Sequence, residues 1–533
     1  MRAREGVSSG ATTADTRADA RAPRRIAGAM VGVLAGGVAV GAAELLAALF
    51  GPGSSPIVAV GGAAIDASPE WLKSFAIRTF GERDKLALLI GIGVVLAVVA
   101  AVLGSMSQRR PRLAIGGLVV LGAIGAAAAV TRPANDLSDA IPSIAGAAAG
   151  VLTARLLMAA AGRPMGSRAD VPPSPVMRSV DRRRFLRAGV AAAGIATVAG
   201  GLGRLLSSRA SAAASRAGTL IPTPADIGPP PPAGADLGVA GVEPFLTPNE
   251  TFYRVDTALF VPAIDAESWT LRIHGMVDRE LTLGFDDLLA RPMIERDITI
   301  ACVSNEVGGP YVGNARWIGA PLADLLRDAG VHPEASQIVS RSSDGFTIGT
   351  PTSVVMDGRD AMLAVSMNGE PLPLEHGFPV RMLVPGLYGY VSAMKWLIDL
   401  ELTTLDAYDA YWIERGWAKE APVKTQSRID TPGSGARLAP GPVAVAGVAW
   451  AQHRGIDRVE VRVDEGAWEP AELGAEDTID TWRQWVYRWD AIAGSHALAV
   501  RATDGEGETQ TEELVPPYPD GATGHHTVHV EVE

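Results

Sequence analysis

Ile298-Thr299-Ile300-Ala301-Cys302-Val303-Ser304-Asn305-Glu306-Val307-Gly308-Gly309 contains the only cysteine in the chain. A β-branched run gives way there to a polar, Gly-rich turn, so the stretch reads as a strand delivering one thiol into a loop. A lone cysteine cannot close an intramolecular disulfide. Nor can it supply the several thiolates of a zinc or iron–sulfur site, or the paired cysteines of a c-type haem site. Two roles remain: an inert buried thiol, or one thiolate acting as nucleophile or soft metal ligand.

Composition divides the chain on either side of this stretch. Residues 1–210 are rich in Ala, Gly, Val and Leu, and the remainder has the mixed polarity of a soluble protein. A net charge of −12 leaves no basic face for phosphates, which argues against nucleic-acid binding. Four apolar segments are long enough to span a bilayer: Ile26–Phe50, Leu86–Met106, Leu113–Val130 and Ile141–Ala161. Arginines at 17, 21, 24 and 25, at 109, 110 and 112, and at 163 and 168 fall on one side of the membrane if the N-terminus is cytoplasmic. Glu44 is the only acidic residue well inside a span.

A weaker apolar stretch, Ala188–Leu206, follows Asp181-Arg182-Arg183-Arg184-Phe185-Leu186-Arg187. This resembles a twin-arginine export motif; the plainer reading is a basic cluster before a fifth span. Export of a folded domain implies a cofactor acquired in the cytoplasm. Ala210-Ser211-Ala212-Ala213-Ala214 also fits a small-residue cleavage site. All eight histidines lie at or after His274, so the spans cannot hold a bis-histidine haem. The expected organisation is a basic tail (1–25), a four-helix membrane bundle (26–162), a linker carrying the arginine motif (163–187), a fifth span or export signal (188–206), a Pro/Ala-rich spacer (207–245) and two exported domains (246–428 and 429–533).

The first exported domain mixes strands, Trp269–Gly275 and Arg296–Cys302, with short helices, Phe285–Ala290 and Leu322–Gly330. The second shows about seven short alternating runs, an antiparallel sandwich of immunoglobulin type by strand pattern alone.

Three segments resemble the sulfite oxidase family of molybdopterin-dependent oxidoreductases. They are Thr247-Pro248-Asn249-Glu250-Thr251-Phe252-Tyr253-Arg254-Val255-Asp256; Cys302-Val303-Ser304-Asn305 with Gly313-Asn314-Ala315-Arg316-Trp317-Ile318-Gly319-Ala320-Pro321-Leu322; and Leu374-Glu375-His376-Gly377-Phe378-Pro379-Val380-Arg381 with Pro385-Gly386-Leu387-Tyr388-Gly389-Tyr390 and Lys395-Trp396. The resemblance implies an α+β molybdenum-cofactor domain followed by an immunoglobulin-like dimerisation domain, hence a homodimer. It implies Cys302 as the metal ligand, a fitting soft donor for molybdenum held by a dithiolene pterin. It implies cofactor contacts from Asn249, Phe252, Tyr253, Ser342, His376, Arg381, Ser392 and Lys395. Arg254 matches an arginine that faces the anionic substrate in sulfite-oxidising relatives. A second arginine expected after the cysteine is replaced by Val307. An expected aromatic hydroxyl is replaced by a cluster in which Tyr411 or Trp417 takes its place.

The implied activity is two-electron oxygen-atom transfer on a small oxyanion or an S- or N-oxide, with a separate electron-transfer protein or quinone-linked partner. One competing reading is a reductase of free or protein-bound methionine sulfoxide. Another, of a different class, is a cofactor-free binding module displayed on the membrane.

Overall fold

A computed structural model of the chain describes residues 21–50, 52–69, 84–107, 110–132, 136–162 and 209–533, with isolated positions between 72 and 80. The arginine motif, the Ala188–Leu206 stretch, and Arg17, Arg109, Arg163 and Arg168 lie outside the described residues. The chain forms two units, Met1–Ser207 and Ser208–Glu533.

In the first unit, helices α1 (Arg21–Phe50), α3 (Asp84–Met106), α4 (Pro111–Val130) and α5 (Ile141–Gly162) coincide with the expected spans, and α2 (Pro56–Ala67) lies between the first two. Among the described residues, four helices are long and apolar enough to cross a membrane. Their Gly and Ala content has a packing reason. A Cβ at Gly104 would lie 2.2 Å from the Gly28 carbonyl oxygen, so α1 and α3 touch backbone to backbone. Sequence periodicity did not reveal α2. Ser55 caps it, its hydroxyl accepting from Val58 N–H and donating to Glu44 at 2.7 Å, which gives the acidic residue of α1 a partner.

The second unit opens with helix α6 (Arg209–Gly218) rather than a free spacer. Arg216 donates to the carbonyls of Pro371 and Leu372 and pairs with Glu370. The extended segment after it is pinned too: Ala225 N–H bonds Met293 O, and Arg316 donates to Pro229 O. The Pro-rich composition is that of a strap laid on the domain.

Two five-stranded sheets follow. One has the order β2 (Leu281–Gly284), β1 (Thr270–Gly275), β10 (Leu397–Thr403), β5 (Gln337–Ser342), β6 (Thr347–Pro351), with only β1 and β10 parallel. The other joins β3 (Ile294–Ala301), β4 (Val312–Pro321), β7 (Met362–Met367) and β8 (Glu370–Pro371), with β9 (Arg381–Leu383) also on β7. Helix α7 (Phe285–Leu289) follows β2. In α8 (Leu322–Ala329), Leu322, Leu325, Leu326 and Ala329 are buried on one helical face, and Gly330 ends the helix at φ 70°.

The C-terminal region is all β. One sheet holds β11 (Gln426–Thr431), β13 (Gly441–Trp450), β17 (Arg483–Ala491) and β16 (Glu472–Leu473). The other holds β12 (Arg437–Leu438), β19 (His526–Val532), β18 (Gly494–Asp504), β14 (Ile456–Val463) and β15 (Glu469–Pro470). Val445 and Trp485 of the first sheet share a core with Val461, Val500 and Val528 of the second. The boundary near residue 428 is not a clean one. Val448, Trp450 and Trp482 belong to the core of the preceding domain. Trp482 donates from Nε1 to Phe245 O at 2.8 Å and from its backbone to Thr299 Oγ1 at 2.7 Å.

Candidate active site

Strand β3 ends at Ala301, and Cys302 begins the loop back to β4, closed by Cys302 N–H to Tyr311 O at 2.9 Å. The thiol lies 3.0 Å from Ser304 Oγ, and its burial pushes its pKa upward. Tyr253 and Tyr388 both feel its charge. Burial is the larger cause in each, holding Tyr253 well above the ordinary phenol value and Tyr388 at about 12.

A cationic group gathers beside this thiol. Arg381, at the start of β9, is 4% exposed, with its guanidinium 5.1 Å over the Trp317 ring. Its Nη1 donates to His376 O at 3.3 Å, and its Nε has no hydrogen-bond partner among the described residues. Burial lowers its pKa to about 10. Lys395 is buried as well, with its pKa lowered to about 8 by desolvation despite an ion pair to Asp256 at 2.7 Å. Gly377 lets the two converge: it has φ +111°, and a Cβ there would press on Lys395 Cα and Arg381 Cβ. Trp396, at φ 54°, turns the chain sharply after Lys395, a conformation that costs a bulky residue. His376 donates from Nε2 to Asn249 O at 3.2 Å and is neutral, burial and the two neighbouring cations having lowered its pKa to about 3.

The remaining expected residues divide. Phe252 stacks on Tyr253 with centroids 5.3 Å apart and meets His376 edge-on at 5.6 Å, so these three form one wall. Asn249 joins through its carbonyl, because its side chain is spent on Met367 O, Glu370 and Asn368. Among the described residues, the buried hydroxyls of Ser342 and Ser343 have no hydrogen-bond partner, and Ser343 N–H bonds Trp396 O at 3.0 Å. Ser392 donates back to Leu387 and Tyr388 carbonyls and so shapes its own turn. Arg254 pairs with Asp256 at 2.8 Å. Among the described residues, Tyr411 and Trp417 make ring contacts in a separate cluster with Phe346, Trp412, Tyr390 and Tyr518, not with Phe252, Tyr253 or His376.

Asp256 was missed from sequence. It is the buried carboxylate shared by Arg254 and Lys395. Its position two residues after Arg254 was the available signal. Two cations sharing one carboxylate, with the Arg381 guanidinium buried nearby, leave positive charge that a bound anion would offset.

The family described as oxidoreductase molybdopterin binding domain matches residues 258–412. The chain is 31% identical over 326 residues to mitochondrial sulfite oxidase of Drosophila melanogaster, covering 51% of this chain and 56% of that one. It is 30% identical over 342 residues to the Mus musculus enzyme, covering 54% and 62%. The uncharacterized oxidoreductase YuiH of Bacillus subtilis is 34% identical over 153 residues, covering 29% of this chain and 74% of YuiH. The solved sulfane dehydrogenase SoxCD from Paracoccus pantotrophus aligns with a TM-score of 0.48 at 24% identity, covering 56% of this chain and 85% of that one. The chain belongs to the sulfite oxidase family and is a molybdopterin-dependent oxidoreductase. It spans 56% and 62% of the length of the two sulfite oxidases just compared.

The family's cofactor is the molybdenum–molybdopterin group. The residues fit it: a buried guanidinium with an orphaned Nε, orphaned hydroxyls at Ser342 and Ser343, and a single soft thiol are the partners such a phosphorylated, thiolate-ligated group lacks on its own. Membership in this family removes the cofactor-free binding module from consideration.

Proposed function

We propose that this chain is a membrane-anchored, extracytoplasmic enzyme that moves one oxygen atom and two electrons to or from a small oxyanion or an S- or N-oxide. The observation carrying the proposal is the buried, under-compensated pair Arg381 and Lys395 beside the single thiol. When bound, the molybdenum–molybdopterin group supplies the two-electron, one-oxygen exchange. Cys302 would supply the protein's ligand to the metal. Arg381, Lys395 and Ser342 would hold the group's phosphate and polar ring atoms, and the Phe252, Tyr253 and His376 wall would shield it from water. Ser392 and the Asn249 backbone hold the turns around it. His376 stays neutral and so acts as a hydrogen-bond donor rather than as a charge.

The placement rests on the four apolar helices, the basic clusters beside them and the motif at 182–187. A homodimer through the C-terminal immunoglobulin-like region, and a separate electron-transfer protein or quinone-linked partner, complete the reading.

One observation favours substrates of low charge. Asp256 compensates Arg254, and Val307 stands where a second arginine is expected. A sulfoxide, free or within a protein, then suits the pocket better than sulfite, with Tyr411 and Trp417 as the aromatic residues nearest the expected substrate hydroxyl in sequence. The test is turnover by the purified full chain. Reduced viologen oxidised by methionine sulfoxide or trimethylamine N-oxide, faster than sulfite reduces ferricyanide, supports this direction. Sulfite oxidation alone overturns it while leaving the oxygen-transfer class intact.

A further inference from the structure

The Cys302 loop is gripped from outside its own sheet. His526 opens β19, and its Nδ1 accepts the Ile429 N–H at 3.0 Å, which fixes the ring. The ring fills the space beside Gly308: a Cβ there would lie 2.2 Å from His526 Cδ2, and φ is +75°. Arg428, on β11, donates from Nη1 to Gly309 O at 3.1 Å. Its Nε is held by Asp430 at 2.5 Å, both side chains nearly buried, and Asp430 in turn accepts from Glu243 N–H. Inside the loop, Gly309 N–H bonds Glu306 O, Asn305 N–H bonds Cys302 O, and Asn305 Oδ1 accepts from Tyr311 N–H. The grip on residues 308–309 thus reaches the sulfur-bearing end through Asn305.

We propose that Arg428 and His526, on two different sheets of the C-terminal region, are positioning residues for the Cys302 thiol. The C-terminal region would then be a second support of the active site as well as a structural appendage. The inference builds on Cys302 as metal ligand, but its test does not need the metal. The full chain is produced cofactor-free, in a host lacking the pterin pathway. Cys302 is the only cysteine, so alkylation by iodoacetamide, read by mass spectrometry, reports one site.

Arg428→Gln and His526→Gln should each speed alkylation at least tenfold while far-UV circular dichroism stays unchanged. Arg428→Lys, which keeps a cation for the Gly309 carbonyl, should return the rate towards wild type. Val459→Ala, in the core of the same region, controls for general loosening and should leave the rate unchanged. Should Arg428→Gln fail to fold, His526→Gln, which keeps an acceptor for Ile429 N–H, carries the test alone. Wild-type rates in the Arg428 and His526 variants, or equal acceleration in Val459→Ala, would overturn the proposal. Absence of molybdenum from the chain made in a competent host would instead sink the ligand reading and leave the alkylation result standing.

Discussion

Arg381 is expensive where it stands. A buried guanidinium with an orphaned Nε destabilises the cofactor-free protein, and replacing buried charge with an apolar side chain of similar volume commonly gains about 1–4 kcal/mol. Arg381→Met should therefore raise the thermal midpoint of cofactor-free protein and abolish retention of the pterin. A lowered midpoint with pterin retained would contradict this. His376 gives a pH signature. Its folded pKa of about 3 lies below its ordinary 6.5, so the unfolded chain binds the extra proton between those values. Its contribution to stability is intact above pH 6.5 and is lost as pH falls towards 3. The urea midpoint of cofactor-free protein should fall more steeply from pH 6.5 to 4 in wild type than in His376→Gln. Motif order in the sequence singles out Cys302, Arg381 and Lys395 as candidates, and the structure packs the last two together around Gly377. It could not show that Asp256 is shared with Lys395, because that contact joins segments 139 residues apart.

At the scale of elements, boundaries were legible where pattern and punctuation agreed. Leu322–Ala329 has helical spacing and a Gly cap, and each of the four long helices described in the first unit is a long apolar run. The strap at 209–245 was not legible, since Ala, Ser and Pro read as spacer until Arg216 and Pro229 are seen bonded to the domain. Nor was the double membership of the C-terminal strands. Alternation marks Trp482 and Trp485 only as apolar, whereas Trp485 serves the sandwich and Trp482 the catalytic core. Trp482→Ala removes packing and the Nε1 hydrogen bond to Phe245 O across that seam, while keeping the backbone bond to Thr299, and should cost about 3–5 kcal/mol in urea unfolding. A cost under about 1 kcal/mol would show that the two cores are independent.

For the whole molecule, the shared core makes the catalytic domain dependent on the C-terminal strands. A chain ending at residue 428 leaves Thr299 and Phe245 without their Trp482 partners and exposes the Trp450 face of the core. Such a truncation should be insoluble or proteolytically labile, as limited trypsin digestion would show. A stable fragment would contradict the single-core reading. The central claim is that the second unit is built around a molybdenum cofactor held by one thiolate and two buried cations. The most direct measurement is the molybdenum and pterin content of the purified full chain, by elemental analysis and fluorescence of the oxidised pterin. About one of each per chain is expected, given a single thiolate ligand of the kind molybdenum takes. Chain made in a cofactor-producing host and found free of both would contradict the account.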